Sequence, residues 1–309
     1  MKKKIAIASA FLAASSFSFA EIALTENLSV EGFVDMSYTD SDADNSAFGI
    51  DQVEFDFLFS QGAVSAQVDV EYEEGADQGG TTEIEQAFIT YDRGNGTAFT
   101  AGRFASLLGF EAFEPTGLYQ YSTAYSDRTG LPGYGEGVKY TAEIAGSYFG
   151  LAIVDGVTGN VIGDGEGYSI EAAFAIDSSV QEGEGLSVFF GARYDVDDAD
   201  ADDDLLVNAY VTYETGAWIF AAEVVHLDDG DQHDSSALVM ANYTYSDAAS
   251  ITGRYSVEDG GTLDASKITL AHNYALADNL ALITELSEVD VDGAADEELE
   301  FAVELLFTF

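Results

Sequence analysis

EELEFAVELLFTF, residues 297–309, places an apolar side chain at every second position: Leu299, Phe301, Val303, Leu305, Phe307 and Phe309. Successive side chains of a β-strand point to opposite faces, so a period of two predicts a strand with one apolar face. The intervening positions, Glu298, Glu300, Ala302, Glu304, Leu306 and Thr308, predict a face turned to water. A soluble edge strand can alternate just as cleanly, so the rest of the chain decides the setting.

The same period recurs along the whole sequence. In residues 64–72, Val64, Ala66, Val68, Val70 and Tyr72 share one face, and Ser65, Gln67, Asp69 and Glu71 the other. Comparable segments lie at about residues 28–38, 48–60, 64–74, 81–93, 97–103, 136–144, 147–155, 167–176, 186–195, 205–215, 217–225, 236–246, 249–258, 266–275, 280–289 and 297–309, sixteen in all. The inward face of the fourth and fifth is ambiguous. Short links at 61–63, 145–146, 216, 246–248 and 276–279 alternate with longer acidic ones at 40–47, 74–80, 196–204, 227–235, 259–265 and 290–296. Alternating ten-residue segments joined by short turns on one side and longer loops on the other are the signature of a transmembrane barrel. The link at 177–185 is longer than that rhythm predicts. The expected fold is all-β: an antiparallel up-and-down transmembrane β-barrel of about 16 strands, with both termini on the periplasmic side.

Lys2, Lys3 and Lys4 precede an apolar run over residues 5–19, with Ser18 and Ala20 at the small-residue positions of a cleavage site. This predicts a secretory signal peptide over 1–20, and a barrel domain over 21–309. The run is too short and too rich in serine for a membrane-spanning helix. Any later membrane crossing must then use a closed barrel, because only helices and barrels satisfy every backbone polar group in lipid.

Composition narrows the function. A net charge of -47, with 57 acidic and 10 basic residues, excludes nucleic acid as a partner, because phosphate contacts need Lys and Arg. Charge alone would suggest disorder, but the chain is 47% hydrophobic and 13% aromatic, which predicts a folded, strand-rich protein. No cysteine is present, so thiol catalysis and thiolate metal sites are excluded. Tyr38, Tyr72, Tyr140, Tyr148, Tyr168, Tyr213, Trp218, Tyr243, Tyr274 and Phe309 lie near strand ends, where aromatic girdles form at membrane interfaces.

The final strand, ending on Phe309, resembles the C-terminal signal strand that the assembly machinery of Gram-negative outer-membrane β-barrels reads. The segments EQAFITY (85–91) and AGRFASLLGFEAFEPTGLYQYS (101–122) resemble the OmpL-like "porin-2" family of outer-membrane barrels. That resemblance implies a pore for small hydrophilic solutes, and brings no catalytic residues with it. The chain departs from most porins in its extreme acidity.

Residues 104–134 form the longest stretch without alternation, with Phe104, Leu107, Leu108, Phe110, Glu111, Phe113, Glu114 and Leu118 among Gly and Pro. So apolar a loop has little reason to sit in water, and long structureless loops are usually functional. In porins one loop commonly folds into the lumen. Residues 107–114 are therefore expected to narrow the pore, with packing on the rim or against a neighbouring subunit as the alternative.

Strand parity directs Glu31, Asp35, Glu54, Asp56, Asp69, Glu71, Glu143, Glu171, Glu223, Glu285, Glu300 and Glu304 into the lumen. It directs Arg103, Lys139, Arg193, Arg254 and Lys267 there too, Arg103 least clearly. An Arg or Lys facing lipid at mid-bilayer costs about 2–4 kcal/mol, which favours this placement. The bases either neutralise neighbouring carboxylates or form one wall of a transverse field, and walls of charge set ion preference. The surplus of acids predicts cations over anions. The Asp-rich stretches 195–204, 228–234 and 290–298 lack EF-hand spacing, and weak divalent binding there is weighed against a solvated acidic surface.

Neither GxSxG, HExxH nor a phosphate-loop pattern occurs, and the histidines, His226, His233 and His272, form no visible triad. A non-enzymatic, passive outer-membrane porin without cofactor or dedicated metal is expected. Its partners would be outer-membrane lipid, small hydrophilic solutes and ions, the barrel assembly machinery and, by analogy with porins of this size, its own copies in a homotrimer. The competing reading is a structural or adhesive barrel with acidic surface loops and little pore activity.

Overall fold

The computed structural model describes residues 21–42, 46–73, 81–125, 131–155, 167–177, 184–197, 204–228, 233–259, 264–294 and 297–309. The expected signal peptide, the interior of the long link at 177–185 and parts of the Asp-rich stretches lie outside them. The strands are β1 (Ile22–Ala23), β2 (Leu28–Ser41), β3 (Ala47–Gln61), β4 (Val64–Glu73), β5 (Thr81–Asp92), β6 (Thr97–Ala105), β7 (Tyr134–Ile144), β8 (Ser147–Asp155) and β9 (Gly167–Asp177). They continue as β10 (Glu184–Asp197), β11 (Leu205–Thr215), β12 (Trp218–Asp228), β13 (His233–Ser246), β14 (Ala249–Asp259), β15 (Ala265–Ala277), β16 (Leu280–Val291) and β17 (Glu298–Thr308). A single turn of 3-10 helix, Pro115–Gly117, interrupts the link between β6 and β7.

Strands β2 to β17 form a closed antiparallel barrel of sixteen strands, each paired with its sequence neighbours. Closure comes from β17 on β2, from Glu300 opposite Ser41 to Thr308 opposite Phe33. β1 adds a short pairing beside β2. A closed ladder leaves no edge of unpaired backbone, the condition for strands to stand in lipid. Tight turns return the chain on one side: Ala145 and Gly146 join β7 to β8 with φ of 54 and 81, the mirror-image geometry that suits a two-residue hairpin.

The alternation read in the sequence is the division between lumen and exterior. On β11, Leu206, Asn208, Tyr210 and Thr212 are buried inside, while Leu205, Val207 and Tyr213 are exposed outside. Outward aromatics pair across strands, among them Trp218 with Tyr243, Phe99 with Tyr140 and Tyr38 with Phe48. Tyr148 is a correction to the expected girdle: it points inward and is buried beside Phe189 and Tyr210 in the lumenal core. Phe309 exchanges backbone hydrogen bonds with Gly32, at 2.9 and 3.0 Å, and its ring packs on Phe55. A Cβ on Gly32 would stand 2.1 Å from the Glu54 carbonyl oxygen and 2.9 Å from that ring, so the glycine makes room for the neighbouring strand as well as the terminal aromatic.

A bulge explains the ambiguous fourth and fifth segments. Asp69 pairs with Gln86, but the next residue, Val70, pairs with Ile84. Glu85 is the extra residue, and parity reverses around it. Beyond the bulge Phe88 and Phe104 face the lumen, and Arg103 shares its face with Ala87 and Glu136. The expected lumenal position of Arg103 is thus corrected: it stands on the outer face, its Nε donating to the Glu85 carbonyl at 2.8 Å.

Candidate functional site

Residues 106–125 leave β6, turn into the barrel and cross its lumen. They are held there by side chains of the wall. Ser106 Oγ and the Leu107 amide donate to Glu171 on β9, the Gly109 amide to Asn208 on β11, and the Phe110 amide to Glu223 on β12. Further on, the Tyr119 carbonyl accepts from Thr252 of β14 and Asn273 of β15, and Ser122 donates through backbone and hydroxyl to Glu285 of β16. Tyr121 reaches Ser37 on β2. Buried lumenal carboxylates thus serve as acceptors for loop amides and hydroxyls, in place of the water that would otherwise hold them.

The loop's apolar residues explain its course. Leu108, Phe110, Tyr119 and Ala124 pack with Tyr148, Ala173, Phe189, Leu206, Tyr210, Val225, Leu238 and Met240, the inward side chains of β8 to β13. The wall is relieved where the loop approaches. A Cβ on Gly191 would meet Leu108 Cδ2 at 2.2 Å, and one on Gly150 would meet Leu107 Cδ1 at 2.9 Å. Phe113 is the exception among the loop's large residues, 43% exposed although its ring contacts Tyr134.

Arg254 latches the loop. Its Nη1 donates to Glu111 Oε1 at 2.6 Å and to the Ser122 carbonyl at 2.7 Å, and Nη2 donates to the Thr123 carbonyl at 2.9 Å. The side chain is 0% exposed. Arg193 is nearly as enclosed, with Nε on Asp195 at 2.7 Å and Nη1 3.6 Å from Glu171. Both arginines point inward as parity predicts, but neither presents its charge to open lumen. Of the two roles expected for such bases, these contacts match neutralisation of adjacent carboxylates rather than a wall facing water. Lys139 lies over the Phe104 ring, 4.3 Å from its centroid.

Open space remains on the other side. Two adjoining cavities, of about 250 and 310 Å³, lie between the loop and β2, β14, β15, β16 and β17, and both touch Ser122, Lys267 and Glu300. Lys267 Nζ stands 3.0 Å from Glu300 Oε2, with side chains 17% and 37% exposed. The larger of the two is lined by Glu285, Glu298 and Glu300 beside Lys267, while Asp40, which also borders it, stands opposite the outward-facing Phe301. A third cavity, sharing Glu258, Ala265 and Ser266 with the first, continues among Asp259, Asp264, Asp290 and Asp292. At the other end the wall is apolar. Leu306, expected on a wet face, packs with Phe33, Ala281 and Ile283 beneath Tyr121.

The remaining predicted acids are also inward. Asp35, Glu54, Asp56, Asp69, Glu71, Glu223 and Glu304 are buried, Glu31 and Glu300 are half-buried, and Glu143 is exposed. Glu114, at the far point of the loop, accepts from the Tyr134 hydroxyl at 2.9 Å and from Gln52 Nε2 at 3.1 Å. Burial pushes its carboxyl above the usual carboxylate range. Asn208, Thr252, Ser256 and Asn273, which hold the loop, were not singled out in the sequence. Their signal there is no more than polarity on the inward parity, which they share with neighbours such as Ser250 and Arg254.

A closed sixteen-strand barrel with one loop folded into its lumen has the construction of a porin, and the family described as "beta-barrel porin-2, OmpL-like" matches residues 31–309. The chain belongs to that family. An anion-selective porin from Comamonas acidovorans superposes with a TM-score of 0.71 at 15% identity, covering 91% of this chain and 99% of that one. OmpF of Salmonella typhi, in complex with daunomycin, gives 0.71 at 14% identity over 94% and 100%. The outer membrane channel DcaP of Acinetobacter baumannii gives 0.68 at 14% over 91% and 97%. At these identities the likeness is one of fold. No curated protein matches the sequence. Family and fold together make this an outer-membrane barrel of the channel-forming kind, a class that is in general not enzymatic.

Proposed function

We propose that this chain is a passive channel for small hydrophilic solutes with a preference for cations, exported by a signal peptide over residues 1–20. The observation that carries the preference is the cavity beside the loop, where three inward carboxylates, Glu285, Glu298 and Glu300, accompany Lys267. Carboxylates in excess at a narrow passage raise the local concentration of cations and repel anions. Lys139, Arg193 and Arg254 add little to the potential there, because they are engaged against Phe104, Asp195 and Glu111. Residues 107–114 set the cross-section by occupying the opposite side of the lumen. Phe309, anchored on Gly32, serves as the assembly signal. Assembly as a homotrimer accords with a Vibrio cholerae OmpT structure of the same fold, described as a trimer form.

Reversal potential in planar bilayers across a KCl gradient tests this reading. Purified full-length protein should open channels whose zero-current potential has the sign of potassium permeation. The opposite sign would refute the cation preference, and absence of conductance would favour the structural or adhesive barrel.

A further inference from the structure

Glu54 of β3 stands between two groups of carboxylates. On one side are Asp56 and Asp69, and on the other Glu85 and Glu114 of the loop; within each triad the oxygens lie within 4.8 Å of one another. Glu54, Asp56, Asp69 and Glu85 are 3%, 8%, 0% and 7% exposed. Each also has a buried oxygen without a hydrogen-bond partner: Glu54 Oε2, Asp56 Oδ1, Asp69 Oδ1 and Glu85 Oε2. The other side of the cluster is well anchored. Asp69 Oδ2 accepts from Gln67 Nε2 at 2.9 Å and Gln86 Nε2 at 2.8 Å, and Glu114 accepts from Tyr134 and Gln52. Donors thus fix these carboxyls from outside and leave unpaired oxygens among them, the arrangement that outer-shell partners give to metal ligands.

Carboxylates this close cannot all stay ionised without a counter-charge. None of the ion pairs among the described residues supplies one: the three paired bases, Arg193, Arg254 and Lys267, lie on β10, β14 and β15. We propose that this cluster binds a hard divalent cation of the calcium class, with Glu54 shared between the two triads. Oxygens bound at the 2.3–2.6 Å typical of calcium are at most about 5 Å apart across the ion, so either triad can share one cation. Magnesium, which demands near-ideal octahedral geometry at shorter distance and keeps its waters, suits such a rigid carboxylate set less well. Because Glu114 belongs to the loop, a cation in its triad would tie the loop to Glu54 on β3 and Glu85 on β5, and Glu54 would link it to the triad that reaches β4. The site does not depend on whether the barrel conducts.

The test is calcium titration by calorimetry of the full-length, chelator-stripped protein in detergent at neutral pH. Saturable binding is expected, weakened by about tenfold or more in Asp69→Asn and Glu85→Gln. Asp292→Asn, at the external rim, should leave it unchanged. Terbium luminescence sensitised by Tyr134 should appear with the wild type and fade in Asp69→Asn. Should the wall variants fail to fold, Glu114→Gln decides, because the loop contributes nothing to the barrel ladder; it too should weaken binding. No saturable uptake would overturn the proposal, as would equal uptake by all variants, which would place binding in the external acidic stretches.

Discussion

Two ion pairs on neighbouring strands divide the lumen into a sealed half and an open half. Arg254 on β14 meets Glu111 at 2.6 Å with 0% of its side chain exposed, while Lys267 on β15 meets Glu300 at 3.0 Å with both partners reaching solvent. Parity treats the two bases alike. They differ because the loop lies on one and passes beside the other. On the sealed side, apolar residues of β8 to β13 receive Leu108 and Phe110, and the arginine satisfies loop carbonyls that would otherwise be buried unpaired. On the open side, the charged groups border cavities and act on whatever passes.

The contrast predicts a hierarchy of effects. Arg254→Ala should be the most damaging, because it removes the cationic partner of Glu111, which keeps only the neutral donors Gln120 and Ala124, and the donor to two loop carbonyls; breaking a buried pair from one side costs about 3–5 kcal/mol. That energy should appear as loss of hydrogen-exchange protection in residues 106–125, while the barrel keeps its resistance to heat and detergent. Gly191→Leu should come next, forcing a side chain into the seat of Leu108 at an expected cost of about 1–3 kcal/mol. Combining it with Leu108→Ala should restore part of the protection, and no coupling between the two would place the loop elsewhere.

Lys267→Gln should barely touch stability, since a partly exposed pair is worth about 0–1 kcal/mol. Its reversal potential should nonetheless move further toward cations, through loss of the one base that lines the acidic cavity among the described residues. An equal shift from Arg193→Gln would erase the distinction between covered and open charges. The smallest effect concerns acidity. The folded-state pKa of Glu114 is raised by burial, so its charged form opposes loop docking fully above the raised value, and that penalty declines as pH falls from there to the unfolded-state pKa, below which it is gone. In chelator, acidification should therefore increase loop protection, and Glu114→Gln should flatten the trend.

Most of the barrel was legible because lipid and lumen impose opposite chemistry on alternate residues. All sixteen segments read from that alternation are strands, and residues 104–134 stood out because their apolar content had no place in an alternating ladder. What alternation could not show was a bulge. One extra residue, Glu85, reverses parity, and with it the placement of Arg103. Nor could it show what covers an inward side chain: Arg254 and Tyr148 required the course of the loop, and Arg193 its partners on β9 and β10. Gly150 and Gly191, two small residues on the inward face of β8 and β10, are the faint trace of that course in the sequence. The convergence of Glu54, Asp56, Asp69, Glu85 and Glu114 is likewise a matter of register between strands and a distant loop, which period-two patterns leave undefined.

The central claim is that the loop fills one side of the lumen and confines passage to the other. Deleting residues 107–118 and measuring single-channel conductance tests it most directly. The account predicts a correctly folded barrel with larger conductance and weaker cation preference, since the widened lumen dilutes the influence of Glu285, Glu298 and Glu300. An unchanged conductance in the folded deletion variant would contradict it.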